Sequence, residues 1–225
     1  MKAGAYHENG PTSVLKYEDV PDAKVFPGGV LIRVEAIAIE GGDTLNRLGG
    51  ALMSKPHVVG YQAAGEIIEV GEGVTGLKAG QKVVTTNAYG SHAELRAVPA
   101  RVAWPLPPGM DVKEGAVVPV PFGTADDCLF EFGRLKKGET VLIQAGAGGV
   151  GVAAIQLAKR AGARVLATAS SNERLEKLKP LGMDHGINYK TEDVVQAVMK
   201  ITGSGVDVVV DPVGSTLQTS IACLG

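Results

Sequence analysis

Residues 141–160 read Val141-Leu-Ile-Gln-Ala-Gly-Ala-Gly-Gly-Val-Gly-Val152-Ala-Ala-Ile-Gln-Leu-Ala-Lys-Arg160. An apolar run of strand type enters a glycine turn, and the turn opens into a segment whose apolar residues recur at helical spacing from Val152 onward. In a chain with 31 glycines, Gly-x-Gly-x-x-Gly alone is a weak pattern. Between a strand and a helix it has the context of a dinucleotide-binding fingerprint. Gly146 would permit the tight turn, Gly148 would let a pyrophosphate approach the backbone, and Gly151 would let helix and strand pack closely. The free N–H groups at the helix start would face the phosphates, and Gly149 and Val150 of the loop are counted with the cofactor-binding residues. The plainer alternative is a strand-to-helix turn that is merely rich in small residues.

The residues that follow extend the same rhythm. Arg164 to Ala169 reads as a second buried strand after the Ala161-Gly162-Ala163 helix stop, and it ends at Ser170. Dinucleotide sites place an Asp or Glu about 20 residues past the glycines to bind the adenosine ribose 2′-OH. Ser170 and Ser171 stand there instead, followed by Arg174. A carboxylate would repel a 2′-phosphate, whereas hydroxyls and a guanidinium can donate to it, so the sequence favours NADP(H) over NAD(H). Ser170 or Ser171 can equally serve as the N-cap of the helix Glu173 to Leu178, with Arg174 a solvated charge. Gly186-Ile-Asn-Tyr189 reads as a third strand, and Thr191 as the cap of a helix from Glu192 to Ile201 that stops at Gly203. Val206 to Asp211 reads as a fourth strand, ended by Pro212 and Gly214. Such alternation predicts a parallel sheet covered on both faces, with the first strand central, the second and third to one side and the fourth to the other.

The first 120 residues have a different texture: short β-rich runs such as Val30 to Val34 and Ala64 to Val70, separated by glycine turns. They predict a β-rich domain over residues 1–120 and a dinucleotide-binding domain over 121–225. A net charge of −2 with mixed signs along the chain leaves no basic block for nucleic acid or an anionic membrane. No apolar run approaches the roughly 20 residues that span a bilayer, and the first residues lack a signal-peptide core, so the expected compartment is the cytoplasm. Cys128 and Cys223 read as buried thiols. His7, His57, His92 and His185 have no metal spacing and read as surface or polar-loop residues, with no metal site. Residues 221–225 stop inside what reads as a helix, which leaves Val206 to Val210 as an uncovered apolar edge and predicts that the domain is truncated at its C-terminus.

Taken together, Gly60-Tyr-Gln-Ala-Ala-Gly-Glu, Val83-Val, Gly123-Thr-Ala, the loop Ala145 to Gly151, Gly186-Ile-Asn-Tyr and Asp211-Pro-Val-Gly resemble the medium-chain dehydrogenase/reductases of the quinone oxidoreductase branch. The resemblance covers essentially the whole chain. It implies an α/β protein with a GroES-like β-rich catalytic domain and a Rossmann-type parallel-sheet domain, with hydride transfer in the cleft between them. It also implies that Thr124 faces the nicotinamide ribose, that Ser170, Arg174 and Tyr189 surround the 2′-phosphate, and that Arg47 borders the active-site cleft. Homodimerisation enters through the resemblance alone.

Departures from the family pattern bear on the chemistry. Where zinc alcohol dehydrogenases carry a Cys, this chain has Ile39-Glu40-Gly41, and where they carry Gly-His-Glu it has Gly60-Tyr61-Gln62. A catalytic zinc needs three protein ligands and a structural one commonly four cysteines, which two distant Cys and four scattered His do not supply. Metal-free hydride transfer suits an acceptor already activated by conjugation, a quinone or an α,β-unsaturated carbonyl. Tyr61 is the candidate hydrogen-bond or proton donor, or else a wall residue of the cleft. Glu40 and Leu45 replace the Asn and Tyr of the quinone reductases, which leaves the acceptor open. Zinc-free alcohol, aldehyde or enoyl-thioester reduction is the alternative chemistry, and cofactor binding without turnover the alternative class.

Overall fold

The structure, a computed structural model, describes residues 1–225. The chain divides into two units, Met1–Val120 and Pro121–Gly225, each with its own core. The first contains β1 (Lys2–Tyr6), β2 (Lys16–Asp19), β3 (Gly29–Ile37), α1 (Gly41–Gly49), β4 (His57–Val58), β5 (Gln62–Val70), β6 (Lys82–Thr86), β7 (Leu95–Pro99), β8 (Ala103–Pro105) and α2 (Val112–Ala116). Five of these strands form an antiparallel sheet in the order β7-β3-β5-β6-β8, and a smaller sheet has the order β2-β1-β4. Val30 and Ile32 on β3, Ile67 on β5, Val83 on β6 and Val98 on β7 are fully buried in one cluster. Residues two apart on a strand share a face, so this alternation selects which side of the sheet becomes core.

Helix α3 (Pro119–Asp126) begins in the last residues of the first unit; in the second, it and a π-helical turn at Asp127–Phe132 lead into β9 (Thr140–Ile143), α4 (Gly149–Arg160), β10 (Arg164–Ala169), α5 (Asn172–Leu178), β11 (His185–Asn188), α6 (Val194–Thr202), β12 (Val208–Val210) and α7 (Leu217–Ala222). The four strands are parallel in the order β11-β10-β9-β12, with β9 inside as the sequence predicts. Both faces are covered. Val141, Ile143, Val165 and Ala167 pack with Ala153, Ala154 and Ile155 of α4, while Leu142, Leu166 and Ile187 pack with Val198 of α6 and Cys223. Continuous apolar strands are what a sheet buried on both sides requires.

Three local readings are corrected. Helix α4 begins at Gly149 rather than Val152, with Gly148 as its N-cap. Thr191 is not the cap of α6; the Asp193 carboxylate accepts from Gln196 N–H and starts the helix two residues later, since Asp caps at least as well as Thr. The Val206 to Val210 edge is covered at Val206 alone, where Val206 N–H donates to Cys223 O (2.9 Å) and Gly225 N–H donates to Val206 O (3.1 Å), while β12 itself lies at the sheet edge, paired with β9 only. No helix is long and apolar enough to cross a membrane.

Candidate functional site

The glycine turn forms where β9 hands over to α4. Gln144 N–H donates to Val210 O (2.9 Å) and Gly146 N–H to Thr168 O (2.8 Å), so the neighbouring strands β12 and β10 hold the exit of β9 from both sides. Between these bonds Ala145 adopts φ +50°. For a residue with a Cβ this left-handed geometry costs about 1–2 kcal/mol and persists only where the surroundings impose it. A Cβ on Gly151 would lie 2.4 Å from Ala145 O and 2.7 Å from Gly146 Cα, so α4 starts hard against the turn. The first-turn N–H groups of α4, those of Gly149, Val150 and Gly151, have no carbonyl within the helix to receive them and form the positive end of its dipole.

Beside this helix start lies a hollow of about 180 Å³ lined by Ala145, Gly148, Ser170, Arg174 and Tyr189 among others, and none of its lining residues is acidic. Ser170 follows the end of β10, Arg174 sits in the first turn of α5, and Tyr189 follows β11. The ends of adjacent parallel strands thus bring together three side chains that are up to 19 positions apart in sequence. Arg174 is exposed and its guanidinium makes no ion pair or hydrogen bond. Ser171, not Ser170, caps α5 by accepting from Arg174 N–H at 3.3 Å, which leaves the Ser170 hydroxyl to the hollow. Sequence reading missed Lys190, whose ammonium lies 5.6 Å from the ring centroid of Tyr189, a lining residue of the hollow. Thr124 is exposed on α3 and does not line the hollow.

Underneath the turn runs a chain of buried polar side chains. Ala145 N–H donates to Thr168 Oγ1 (3.1 Å), whose own hydroxyl donates to Gln144 Oε1 (2.8 Å). Gln144 Nε2 donates to Ser220 Oγ (3.4 Å), and Ser220 donates to Asp211 Oδ2 (2.8 Å). Asp211 Oδ1 accepts from the Thr216 hydroxyl (2.7 Å) and from Val213 and Gly214 N–H. Burial alone would raise the Asp211 pKa, but the hydrogen bonds from Thr216, Ser220, Gly214 and Val213 outweigh it and hold the carboxyl below its ordinary value.

In the N-terminal unit, Tyr61 rests on α1 where Gly42 leaves room: a Cβ there would lie 2.6 Å from the ring. Its phenol accepts from Asn46 Nδ2 (2.7 Å), so the phenolic proton stays free to be donated elsewhere. Arg96, which sequence reading also missed, fastens this segment from below. Its guanidinium donates to Tyr61 O (2.7 Å), Tyr89 O (3.1 Å) and Thr85 Oγ1 (3.0 Å), with no carboxylate partner, and burial pushes its pKa down to about 10. The signal was available in its register, since Arg96 and Val98 stand two apart on β7 and share the buried face. Arg47 donates through Nε to Gly10 O (3.2 Å) and its carbonyl accepts from Gly10 N–H, tying a loop to α1.

Glu40 accepts from Gln62 Nε2, while Gln62 Oε1 accepts from Val120 N–H at 2.9 Å. Burial pushes the Glu40 carboxyl above its ordinary value, with neighbouring Asp43 adding to the shift and Gln62 opposing it. A carboxyl with a raised folded pKa binds protons more tightly in the native state, so stability falls as pH rises through the window between its unfolded and folded values. Glu40→Gln is therefore expected to raise the melting temperature at pH 7 and to leave it unchanged below pH 4; an equal change at both would reject this origin.

The histidines differ from expectation in part. His7 is exposed, but His57 is buried at 3% exposure between Tyr6 and Tyr89, because its Nδ1 finds a backbone donor at Met53 N–H (3.1 Å). His92 is half-buried with Nε2 3.8 Å from Asp43, and His185 contacts Arg164 at 2.9 Å. No three His, Cys, Asp or Glu side chains converge in a metal-holding group.

Comparison with known proteins fits this geometry. The family model described as alcohol dehydrogenase GroES-like domain matches residues 26–108, and that described as zinc-binding dehydrogenase matches residues 149–225. A 2-haloacrylate reductase from Burkholderia sp is 36% identical over 233 residues, covering 100% of this chain and 70% of that protein. The chain belongs to the medium-chain dehydrogenase/reductase superfamily, in its quinone-oxidoreductase-like branch. Within that superfamily, the Escherichia coli quinone oxidoreductase, whose structure was solved in complex with NADPH, superposes with a TM-score of 0.94 at 31% identity, over 100% of this chain and 70% of that one. The synaptic vesicle membrane protein VAT-1 homolog of Rattus norvegicus is 39% identical over 193 residues, which cover 84% of this chain. The chain spans about half the length of that relative, 48%. The dehydrogenase/reductase fold accounts for both units: the GroES-like match falls on the antiparallel sheet of β3 and β5 to β8, and the second match on the parallel sheet from α4 onward.

Proposed function

We propose that this chain forms part of an NADPH-dependent oxidoreductase that reduces a quinone or an α,β-unsaturated carbonyl without zinc. The observation that carries the cofactor assignment is the acid-free hollow at the start of α4, where the unpaired Arg174 guanidinium meets Ser170 and Tyr189. An acid at the end of β10 would receive the ribose 2′-OH of NAD; Ser170, Arg174 and the nearby Lys190 instead offer donors and positive charge to a 2′-phosphate. The first-turn N–H groups of α4 would hold the pyrophosphate, with Gly148 keeping a side chain out of its way and Gly146 and Gly151 allowing the tight turn and the close start of α4. Thr124 would meet the nicotinamide ribose. When bound, NADPH supplies the hydride.

The chain's own residues then position the acceptor and meet the negative charge that develops on its oxygen. Tyr61 is the proposed donor, because Asn46 occupies one phenol lone pair and leaves the O–H free. Arg47 is assigned to the border of the cleft. Zinc has no fitting donor set: Glu40, Tyr61 and Gln62 stand at the ligand positions, Glu40 and Gln62 bond each other, and Tyr61 bonds Asn46. Similarity to the 2-haloacrylate reductase and to the quinone oxidoreductase supports a conjugated acceptor.

Oxidation of NADPH, followed at its absorbance band with a panel of quinones, enones and aldehydes in the presence of a chelator, tests the assignment. Turnover of quinones or enones supports it; turnover restored only by zinc rejects the metal-free part, and tight NADPH binding with no turnover places the chain among cofactor-binding proteins without catalysis. Tyr61→Phe should lower turnover about fivefold, the worth of one neutral hydrogen bond, with NADPH affinity unchanged.

A further inference from the structure

The left-handed Ala145 stands at the centre of the turn, and its N–H is received by a side chain, the Thr168 hydroxyl, rather than by a main-chain carbonyl. That hydroxyl is the first member of a series whose every bond has only one workable direction. The Asp211 carboxylate only accepts, so the Ser220 O–H must donate to it and turn a lone pair towards Gln144. Gln144 must then present Nε2 to Ser220 and Oε1 to Thr168, and the Thr168 O–H must donate to that oxygen, which leaves its lone pair for Ala145 N–H. Reversing one bond would set donor against donor or acceptor against acceptor. Gln144, Thr168 and Ser220 are 3%, 1% and 4% exposed, so water does not compete for these groups, and a broken link would leave buried polar atoms unsatisfied.

We propose that Asp211, Ser220, Gln144 and Thr168 are positioning residues for the dinucleotide turn: a one-way hydrogen-bond relay, anchored on a carboxylate after β12, that fixes Ala145 and the phosphate-facing backbone after it. The proposal rests on the reading of this turn as the NADPH site. The relay joins the segment beyond the C-terminal end of β12 to that beyond β9, and so links the two sides of the crevice where parallel sheets of this type bind ligands. Thr216 and the N–H groups of Val213 and Gly214 hold the far carboxylate oxygen, so the anchor itself is fixed. None of the four side chains needs to touch the cofactor.

The pyrophosphate is common to NADPH and NADH, so disturbing the relay should weaken both dinucleotides equally, unlike a change at the 2′-phosphate hollow. Thr168→Val is expected to weaken both by about tenfold and Asp211→Asn by about threefold, with Thr168→Ser restoring most of the loss, as hydrogen bonds of this kind are worth. The double variant should be no weaker than Thr168→Val alone, because contributions within one network are not additive. Amide hydrogen exchange of Ala145 in the unliganded 225-residue chain provides a readout independent of binding, and it should quicken in Thr168→Val and in Asp211→Asn. Ser220→Ala, which cuts the relay in its middle and keeps the carboxylate, should do the same and replaces Asp211→Asn if that variant fails to fold. Unchanged Ala145 exchange in Asp211→Asn or Ser220→Ala, or fold-losses that multiply in the double variant, would overturn the relay. If the unaltered protein binds neither NADPH nor NADH, the cofactor reading fails, and Ala145 exchange still decides the relay.

Discussion

Arg174→Ala should weaken NADPH binding by about ten- to a hundredfold while NADH binding changes by less than about twofold. The guanidinium lines the hollow, is exposed and has no internal partner, so its removal neither opens a cavity nor strands a neighbour. All of the expected loss then comes from the missing charge-assisted contact to the 2′-phosphate, worth roughly 1.5–3 kcal/mol. Each 1.4 kcal/mol is about a factor of ten in affinity. Because the contact is solvent-exposed, the difference between the cofactors should also shrink as salt is added. Titration of both dinucleotides at two ionic strengths checks the assignment, and equal losses for NADPH and NADH would rule out a role in 2′-phosphate recognition.

The glycine turn makes a sharper stability prediction, because its glycines are not equivalent. At Gly151 a Cβ would meet Ala145 O at 2.4 Å and Gly146 Cα at 2.7 Å, both backbone atoms that no rotamer change can move aside. Gly151→Ala must push α4 off the end of β9, at about 3 kcal/mol, the upper part of the range for overpacked sites. At Gly149 the nearest atoms are Pro121 Cγ and Cβ at 3.8 and 3.9 Å, an ordinary contact. Gly149→Ala should leave stability within about 1 kcal/mol of the parent, since Ala suits a helix better than Gly. Urea unfolding of both variants decides the matter: equal midpoints would mean that α4 does not press against the turn in solution. Gly151→Ala should also weaken NADPH and NADH alike, because it displaces the phosphate-facing backbone rather than the hollow.

The sequence carried the C-terminal fold well because β9, β10 and β12 are largely apolar runs separated by segments of helical period, so the order β11-β10-β9-β12 follows from crossover handedness. Ser170 and Arg174 drew notice because they stand after β10, where a dinucleotide site places its acid, whereas Tyr189 entered only through the family resemblance and follows β11 rather than ending it. Helix starts were less legible, as Asp193 and Thr191 are both good caps and only the chain's path chooses between them. The relay could not be read at all. Gln144, Thr168, Asp211 and Ser220 look like unrelated polar residues until the sheet brings them together across as many as 76 positions. Arg96 was passed over and His57 was read as a surface or polar-loop residue, because charged and polar side chains are mostly exposed, whereas here main-chain donors and acceptors let them stay inside.

Strand β9 sends Val141 and Ile143 to one face of its sheet and Leu142 to the other, so one short strand contributes to both cores of the C-terminal unit. Neither layer of helices can detach while the other stays in place without exposing this strand. The unit should therefore melt as one cooperative block, with calorimetric and van't Hoff enthalpies that agree for that transition.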